Sequence, residues 1–293
     1  MKRGVLVVLA VGVMVFLLVG CGGGGAGPSE TYNLVLTWSG DGGPFRLPCG
    51  VAIGPLAGNV WVTDTINGTV GEFNPSDGTS ISHAGGLNSP HGIALGIGGV
   101  YVAEAGMADD IRWVDEHGVG HITPGFNDPW GVAVDSTGNV YIADTGNNQI
   151  KVYDQDLTVL IHVWGRPGSG DGEFTGPCGI AVDSSGYVYV VDRGNSRVQK
   201  FTSDGTLITK WGSHGSAPGQ FNLPMGIAVD SAGNVYVADT GNNRVQKFTS
   251  GGRFITQFGS SDLISPLGIA VHPSGKVYVA DPGHTRIAVF EKR

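Results

Sequence analysis

The segment Val235–Phe248 reads VYVADTGNNRVQKF, and two earlier segments nearly repeat it. Val188–Phe201 reads VYVVDRGNSRVQKF, and Val140–Tyr153 reads VYIADTGNNQIKVY. In each, two runs of β-branched and aromatic residues flank a short segment rich in Gly, Asn and Asp, which predicts two strands joined by a turn. Near-identity at intervals of roughly 20 to 50 residues indicates a repeat architecture.

The tripeptide Pro-x-Gly, followed each time by a short apolar run, marks the start of every repeat. The six copies are Pro48-Cys49-Gly50, Pro90-His91-Gly92, Pro129-Trp130-Gly131, Pro177-Cys178-Gly179, Pro224-Met225-Gly226 and Pro266-Leu267-Gly268. In the fifth copy the predicted strands are Gly226–Asp230, Val235–Ala238, Arg244–Phe248 and Phe254–Gly259. Four short strands joined by Gly-containing turns predict one antiparallel sheet per repeat.

Repetition around an axis lets such sheets cover each other's apolar faces. The sequence therefore predicts an all-β fold: a six-bladed β-propeller with four antiparallel strands per blade. Aromatic residues near the ends of the predicted fourth strands are interpreted as core between blades rather than as a ligand platform. They are Trp38, Trp164, Trp211 and Phe258.

The two ends of the repeat region predict how the ring closes. The sixth copy stops after its third strand, Arg286–Glu291, whereas Asn33–Trp38 precedes the first copy and looks like a fourth strand. We expect this N-terminal strand to complete the last blade, because closure removes exposed strand edges.

The run Pro-x-Gly-Ile-Ala-Val-Asp, followed by Val-Tyr-Val-Ala-Asp-Thr-Gly-Asn-Asn-Arg-Val-Gln-Lys-Phe, resembles the NHL repeat. The resemblance covers residues 32–293 and implies a six-bladed propeller. It is weaker in the second repeat, where Glu104 stands for Asp. Asp239, Asn242, Asn243 and Arg244 are interpreted as turn chemistry, because Asp and Asn bond nearby backbone groups and Asn tolerates left-handed geometry. The same interpretation applies to Asp144, Asp192, Asp281, Arg197 and Arg286.

The N-terminal segment indicates export. Lys2 and Arg3 precede the apolar run Gly4–Leu18, as in a secretory signal peptide. The next residues, through Cys21, resemble the lipobox of bacterial lipoproteins. The resemblance implies that residues 1–20 are a signal peptide and that residues 21–31 hold a lipidated Cys21 and a Gly-rich tether. The alternative is an uncleaved membrane anchor.

This resemblance places the protein in the cell envelope, attached to a membrane through its N-terminal lipid. The residue after Cys21 is Gly22 rather than the Asp that retains lipoproteins at the inner membrane, which favours the outer membrane if the cell is Gram-negative. The chain carries 25 acidic and 17 basic residues, and the predicted cleavage removes two of the basic ones. An acidic chain without a Lys/Arg-rich segment is not expected to bind nucleic acid.

The x residues of Pro-x-Gly differ between repeats, whereas the residues around them recur. We therefore expect the functional residues to be these x residues, at the mouth of the central channel. The candidates are Cys49, His91, Trp130, Cys178, Met225 and Leu267. Cys49, His91 and Cys178 could ligate a single soft metal ion, or they could simply plug the channel. The related peptidylglycine-amidating lyase places zinc-binding histidines at this kind of position in three blades, and only His91 matches. A disulfide between Cys49 and Cys178 is not expected, since their blades face each other across the ring.

Three longer loops should also lie near the channel mouth. They are Ser39–Leu47, Gly165–Gly176 and Gly212–Leu223, and each holds one Phe that is either a partner anchor or core (Phe45, Phe174, Phe221). No standard catalytic motif is present. The sequence therefore favours a binding or scaffolding module for a protein, peptide or glycan, without a cofactor. The alternative is a metal-dependent lyase or lactonase, as found on other six-bladed propellers.

Overall fold

A computed structural model describes residues 30–39, 45–54, 58–107, 109–115 and 117–293. These residues form six four-stranded antiparallel sheets around one central channel, which confirms the predicted six-bladed β-propeller. The predicted signal peptide, Cys21 and the tether as far as residue 29 lie outside the described residues. Within them, no helix has the length and apolar character needed to cross a bilayer.

The blades follow each other along the chain, each running from its innermost to its outermost strand. Blade 1 is β2 (Pro48–Ile53), β3 (Val60–Asp64), β4 (Thr69–Phe73) and β5 (Ser80–Gly85). Blade 2 is β6 (Pro90–Gly96), β7 (Gly99–Glu104), β8 (Asp110–Asp115) and β9 (Gly118–Thr123). Blade 3 is β10 (Pro129–Val134), β11 (Val140–Asp144), β12 (Gln149–Tyr153) and β13 (Leu160–Trp164).

The second half of the ring has the same order of strands. Blade 4 is β14 (Pro177–Val182), β15 (Val188–Asp192), β16 (Arg197–Phe201) and β17 (Leu207–Trp211). Blade 5 is β18 (Ile227–Val229), β19 (Val235–Asp239), β20 (Arg244–Phe248) and β21 (Phe254–Phe258). Blade 6 is β22 (Ile269–Val271), β23 (Val277–Asp281), β24 (Arg286–Lys292) and β1 (Tyr32–Trp38).

The N-terminal strand closes the ring as predicted, starting one residue earlier. β1 pairs antiparallel with β24, from Tyr32 opposite Lys292 to Trp38 opposite Ile287. The Glu30 carboxylate continues the closure, because it lies 2.6 Å from the Lys247 ammonium of blade 5 and 2.8 Å from that of Lys292. The start of the described chain is therefore fixed across two blades.

Apolar side chains of neighbouring blades share the core. The outer-strand aromatics pack inside it as predicted: Trp38 and Phe258 are buried, and Trp164 and Trp211 are half-buried against core clusters. Trp164 lies on Gly205 of the next blade, whose φ is +91° and where a Cβ atom would overlap the indole ring. Glycine is needed there both for its conformation and for the close approach.

Strand direction defines two faces of the ring. Each innermost strand starts at its Pro-x-Gly tripeptide or directly after it. The loops entering the blades and the turns between second and third strands therefore share one face, here called the mouth face. The hairpins between first and second strands and the turns between third and fourth strands share the opposite face, here called the hairpin face. β1 also begins on the hairpin face, since it occupies the position of a fourth strand.

Candidate binding face at the channel mouth

The buried carboxylate of each repeat ties the entering loop to its blade, which explains why the motif repeats. Asp239 is fully buried. It accepts hydrogen bonds from the backbone N–H of Asn222 (2.8 Å) and from the side chains of Asn242 (2.9 Å), Arg244 (2.8 Å) and Gln246 (2.9 Å). Asn243 follows with φ of +55°. The interpretation of these residues as turn chemistry is confirmed.

The equivalent carboxylates of the other blades bond the entering loop in the same way. The pairs are Asp64 with the N–H of Arg46, Glu104 with Asn88, Asp144 with Asn127, Asp192 with Thr175 and Asp281 with Ile264. A buried carboxylate needs such donors, because an unpaired charge in the interior is costly. The repeated motif is therefore structural. It holds the entering loops in place on the mouth face.

The glycine of Pro-x-Gly sets the width of the channel. A Cβ atom on any of these six glycines would overlap the backbone carbonyl oxygen of the x residue in the next blade. The same contact occurs at all six junctions between neighbouring blades, including that of Gly268 in blade 6 with the carbonyl oxygen of Cys49 in blade 1. The sequence showed that these glycines repeat, but not that they let six backbones meet at the axis.

The structure places the six predicted mouth residues together. Five of them line a cavity of about 70 Å³: Cys49, Trp130, Cys178, Met225 and Leu267. The His91 ring contacts the Trp130 ring edge-on, with centroids 4.5 Å apart. Pockets that enclose small molecules usually have roughly 300–1,000 Å³. A ligand of this face would therefore lie on the mouth rather than inside it.

The two thiols are enclosed, although both cysteines border the channel cavity. Cys178 is 1% exposed, and its Sγ lies 3.5 Å from the carbonyl oxygens of Pro224 and Met225 in the next blade. Burial raises the pKa of Cys178 to about 12 and raises that of Cys49 further. Both cysteines are free, as expected for residues of opposite blades. A neutral, enclosed thiol is a poor nucleophile and a poor metal ligand.

The possible metal set of Cys49, His91 and Cys178 is not assembled. Among the described residues, no three His, Cys, Asp or Glu side chains are arranged to hold a metal ion. Both thiols are buried, and His91 does not line the cavity that the two cysteines border. The one-letter pattern does not reveal this. His91 remains half-buried at the rim, and burial lowers its pKa, so the ring is neutral near pH 7.

The three loop phenylalanines belong to the core. Phe45 is 6% exposed, and Phe174 and Phe221 are fully buried. The loop before Phe221 is further held by Arg244, whose guanidinium donates to the carbonyl oxygens of Ala217 and Gln220 at 3.0 Å each. The loops are thus rigid parts of blades 4 and 5, and the hypothesis that these rings anchor a partner is wrong.

Apolar residues that the sequence analysis missed are exposed on the mouth face. Met107 is 99% exposed in the turn between β7 and β8, and Leu223 (47%) and Ile264 (46%) lie in loops that enter blades 5 and 6. The mouth patch comprises these three residues and the half-buried rim residues His91, Trp130, Met225 and Leu267. Met107 stands where the second repeat departs from the motif, and that departure was the available signal.

Leu223 is unusual in conformation as well as in exposure. Its φ is +47°, in the left-handed region. In four other blades the residue before Pro is also left-handed but is small or polar: Ser89, Asp128, Gly176 and Ser265. Blade 1 has Leu47 there, which is half-buried and is not left-handed. Left-handed geometry costs a non-Gly residue about 1–2 kcal/mol. Leu223 bears this strain without burying its side chain, and such outliers concentrate at functional sites.

Comparison with known proteins agrees with this architecture. The model of the NHL repeat matches residues 126–153, 174–201, 221–248 and 263–290, in blades 3 to 6. The chain therefore contains four NHL repeats and has a six-bladed β-propeller fold. None of the curated protein sequences matches it significantly.

Several solved structures resemble the chain in fold at low sequence identity. A virginiamycin B lyase from Staphylococcus aureus with quinupristin has a TM-score of 0.60 at 17% identity, over 83% of this chain and 80% of that one. A gluconolactonase from Xanthomonas campestris has a TM-score of 0.68 at 16% identity, over 85% and 86%. A protein of unknown function from Bacteroides thetaiotaomicron has a TM-score of 0.69 at 16% identity, over 90% and 76%.

Proposed function

We propose that this NHL propeller is a binding module of the cell envelope, anchored through a lipid on Cys21, that holds a protein or peptide partner on its mouth patch. Leu223 carries the proposal, because a strained and exposed Leu has no use in the fold. Apolar residues that stand out on a rigid scaffold are typical of partner contacts. Glycan binding by the same patch is less favoured, because most of its exposed area is aliphatic or thioether.

The rigidity of the mouth face supports the proposal. The buried carboxylates fix the entering loops, so binding would require little ordering of the backbone, and ordering is a main cost of association. The small channel cavity also favours a surface contact over an enclosed substrate. Lipid attachment, and the outer membrane in a Gram-negative cell, remain parts of the same proposal.

Site-specific crosslinking tests the partner contact. A photoreactive residue replaces Leu223 or Met107 in the full chain in cells, and adducts are analysed after irradiation. Ile208 provides a matched control, because it is exposed to the same degree (46%) on the outer strand of blade 4, away from the mouth patch. We expect the same adduct from both mouth positions and none from Ile208. Equal adducts at all three positions, or none, would contradict the proposal.

A stability measurement separates function from folding at the same residue. Leu223→Asn should remove side-chain strain, because Asn tolerates left-handed geometry, and so raise stability slightly. Leu223→Asn should also abolish the crosslinked adduct that forms when the photoreactive residue is at position 107. A variant that is more stable and yet does not bind identifies Leu223 as a binding residue.

The alternative function is a metal-dependent lyase or lactonase with its site at the channel mouth. Its support is the fold shared with the virginiamycin B lyase and the gluconolactonase, and fold alone does not fix activity. Metal content of the purified chain after incubation with Zn²⁺ or Cu⁺ tests it. One bound ion per chain, lost in His91→Ala, would favour this alternative over the binding module.

A further inference from the structure

We propose that a second site, a cavity between blades 2 and 3 on the hairpin face, binds an organic cation: an apolar molecule that carries an amine. The cavity has a volume of about 860 Å³, large enough for a drug-sized ligand. Its lining includes Leu95, Ile97, Tyr101, Trp113, Asp135 and Asp156. It lies on the face opposite the mouth patch and is independent of the proposed partner.

A departure from the repeat opens the cavity. In blade 3 the first hairpin begins with Asp135, which accepts a hydrogen bond from the Tyr141 hydroxyl at 3.1 Å. In blade 2 the hairpin is one residue shorter, and Gly96 stands in place of this Asp. The hydroxyl of Tyr101 donates instead to the carbonyl oxygen of Gln155 in blade 3. The space that a longer hairpin and its carboxylate would fill is left as cavity.

The same region lacks a cation that other blades contain. Opposite the second-strand tyrosine, blades 4 and 5 have a lysine, whose ammonium lies over the ring: Lys200 is 4.9 Å from the centroid of Tyr189, and Lys247 is 5.1 Å from that of Tyr236. In blade 2 the residue opposite Tyr101 is Trp113.

Two aromatic faces thus meet where blades 4 and 5 pair an aromatic ring with an ammonium. The rings of Tyr101 and Trp113 have centroids 4.8 Å apart. Of the described residues that line the cavity, none is Lys, Arg or His. A cation over an aromatic face gains about 0.5–2 kcal/mol, depending on desolvation. The environment therefore suits a positive charge brought by a ligand.

A carboxylate is available to pair with that charge. Asp156 is exposed on the turn that borders the cavity, and within the described part of the chain it makes no hydrogen bond or ion pair. It is close enough to Tyr101 to contribute, after burial, to raising the pKa of that phenol to about 12. Asp135 is engaged differently, since Thr137 and Asn139 already donate to its carboxylate.

The remaining wall is aliphatic and would hold the apolar part of the ligand. The wall contains three half-buried residues at the ends of innermost strands. Ile53 ends β2, Val134 ends β10, and Leu95 is next to the last residue of β6. Ile97 projects at the rim, 87% exposed. An anion is disfavoured by the carboxylates, and a small hydrated cation would leave this wall uncovered.

Binding of a matched series of probes tests the inference. 4-Phenylbutylamine, 4-phenylbutanol and 4-phenylbutyrate share one apolar body and differ in charge, and binding to the purified chain is measured by calorimetry. We expect the amine to bind at least about tenfold more tightly than the alcohol, and the acid not to bind. Equal affinities for amine and alcohol, or no binding of the amine, would overturn the proposal.

Three variants locate the site. Asp156→Asn should reduce affinity for the amine to that for the alcohol, whereas Asp204→Asn, at the equivalent turn of blade 4, should leave it unchanged. Trp113→Lys restores the lysine of blades 4 and 5 and should abolish amine binding. Ile97→Ser changes a residue too exposed to affect folding and should weaken all binding severalfold. Unchanged affinity in Asp156→Asn and Ile97→Ser together would place the amine elsewhere and reject this cavity.

Discussion

The hydroxyl of Thr123 donates a hydrogen bond to the carbonyl oxygen of Leu157 at 3.3 Å, across the junction between blades 2 and 3. At three other junctions the corresponding contact is a tryptophan on a glycine, as with Trp164 on Gly205. Here Thr occupies the tryptophan position and Leu the glycine position. Leu157 is only 4% exposed and has φ of +55°. Its side chain thus fills the space of the absent indole, despite unfavourable backbone geometry.

The Leu157→Gly variant should unfold more easily. Loss of a buried Leu side chain costs about 2–5 kcal/mol, and relief of left-handed strain returns about 1–2 kcal/mol, so we expect a net loss of about 1–3 kcal/mol in urea unfolding. Adding Thr123→Trp should recover part of this, because it recreates the pairing of the other junctions. If the change in unfolding free energy of the double variant equals the sum of the changes in the two single variants, the two positions are not coupled.

The Gly268→Ala variant tests the contact around the channel. A methyl group at Gly268 overlaps the carbonyl oxygen of Cys49, so the closing blade would have to shift. We expect a loss of about 1–3 kcal/mol, typical of overpacking. Gly251→Ala is the matched control, because a Cβ atom there meets nothing within 4 Å. If both variants melt at the wild-type temperature, the inner strands are not in close contact.

Two buried carboxylates should respond to pH in opposite directions. Burial raises the pKa of Asp144, but the side chains of Asn147 and Gln149 donate to it and hold the pKa below its ordinary value. Stability from Asp144 is therefore present above about pH 4 and is lost as pH falls through the lower folded pKa. The deficit of Asp144→Asn relative to wild type should shrink in acid.

Glu104 should show the reverse dependence. Burial raises its pKa, and a hydrogen bond with Asp110 raises it further. Its stability contribution is therefore complete below about pH 4 and is lost as pH rises through the raised folded pKa. The free energy of unfolding of Glu104→Gln, relative to that of the wild type, should therefore increase from acid to neutral pH. Urea unfolding at each pH measures it. Parallel profiles for the two variants would disprove the assignment.

The buried thiols should be unreactive in the folded protein. Burial keeps Cys49 and Cys178 protonated near pH 7, and each is 1% exposed. We expect neither to react with a thiol-specific reagent such as Ellman's reagent on the minute scale, and both to react promptly in denaturant. Reaction of either thiol in the folded state at a rate similar to that of a free cysteine would show that it reaches the channel mouth.

Replacing Cys21 tests the anchor. The Cys21→Ala chain should be neither acylated nor cleaved before residue 21. Acyl chains contribute about 0.8 kcal/mol per buried CH₂, so two or three of them attach a protein firmly. The measurement is the mass of the product and its distribution between membrane and soluble fractions. Full membrane attachment with unchanged mass would exclude lipidation at this residue.

The repeat allowed the ring to be predicted from sequence, because strand and turn chemistry recur at fixed positions in every copy. Asp239 and its partners recur for the same reason, and their role was predicted correctly. The strand ends were less certain: the predicted strand Gly226–Asp230 is observed as Ile227–Val229. The backbone there stays bonded at Met225 and Gly226, but it departs from regular pairing beside the channel.

The candidate site was harder to predict, because its residues are those that do not recur. The six mouth positions could be predicted from the repeat, but not that Cys49 and Cys178 are enclosed while Trp130 and Met225 stay half-buried at the rim. Side-chain direction at the axis depends on contacts with the next blade, which lies some 40 residues away in sequence. Leu223 was missed because its importance lies in its backbone conformation, which the sequence does not show. The cavity beside Trp113 was missed because it arises where the first hairpin of blade 2 is one residue shorter than that of blade 3.

The attachment of Glu30 to Lys247 and Lys292 determines how a lipid on Cys21 would orient and load the molecule. Glu30 lies on the hairpin face, and nine residues span at most about 30 Å. An anchored propeller would therefore turn the hairpin face to the bilayer and present the mouth patch away from it. Tension between a partner and the membrane would then run along β1, so its hydrogen bonds to β24 would be sheared together rather than peeled one by one, with the two ion pairs as the first mechanical restraint.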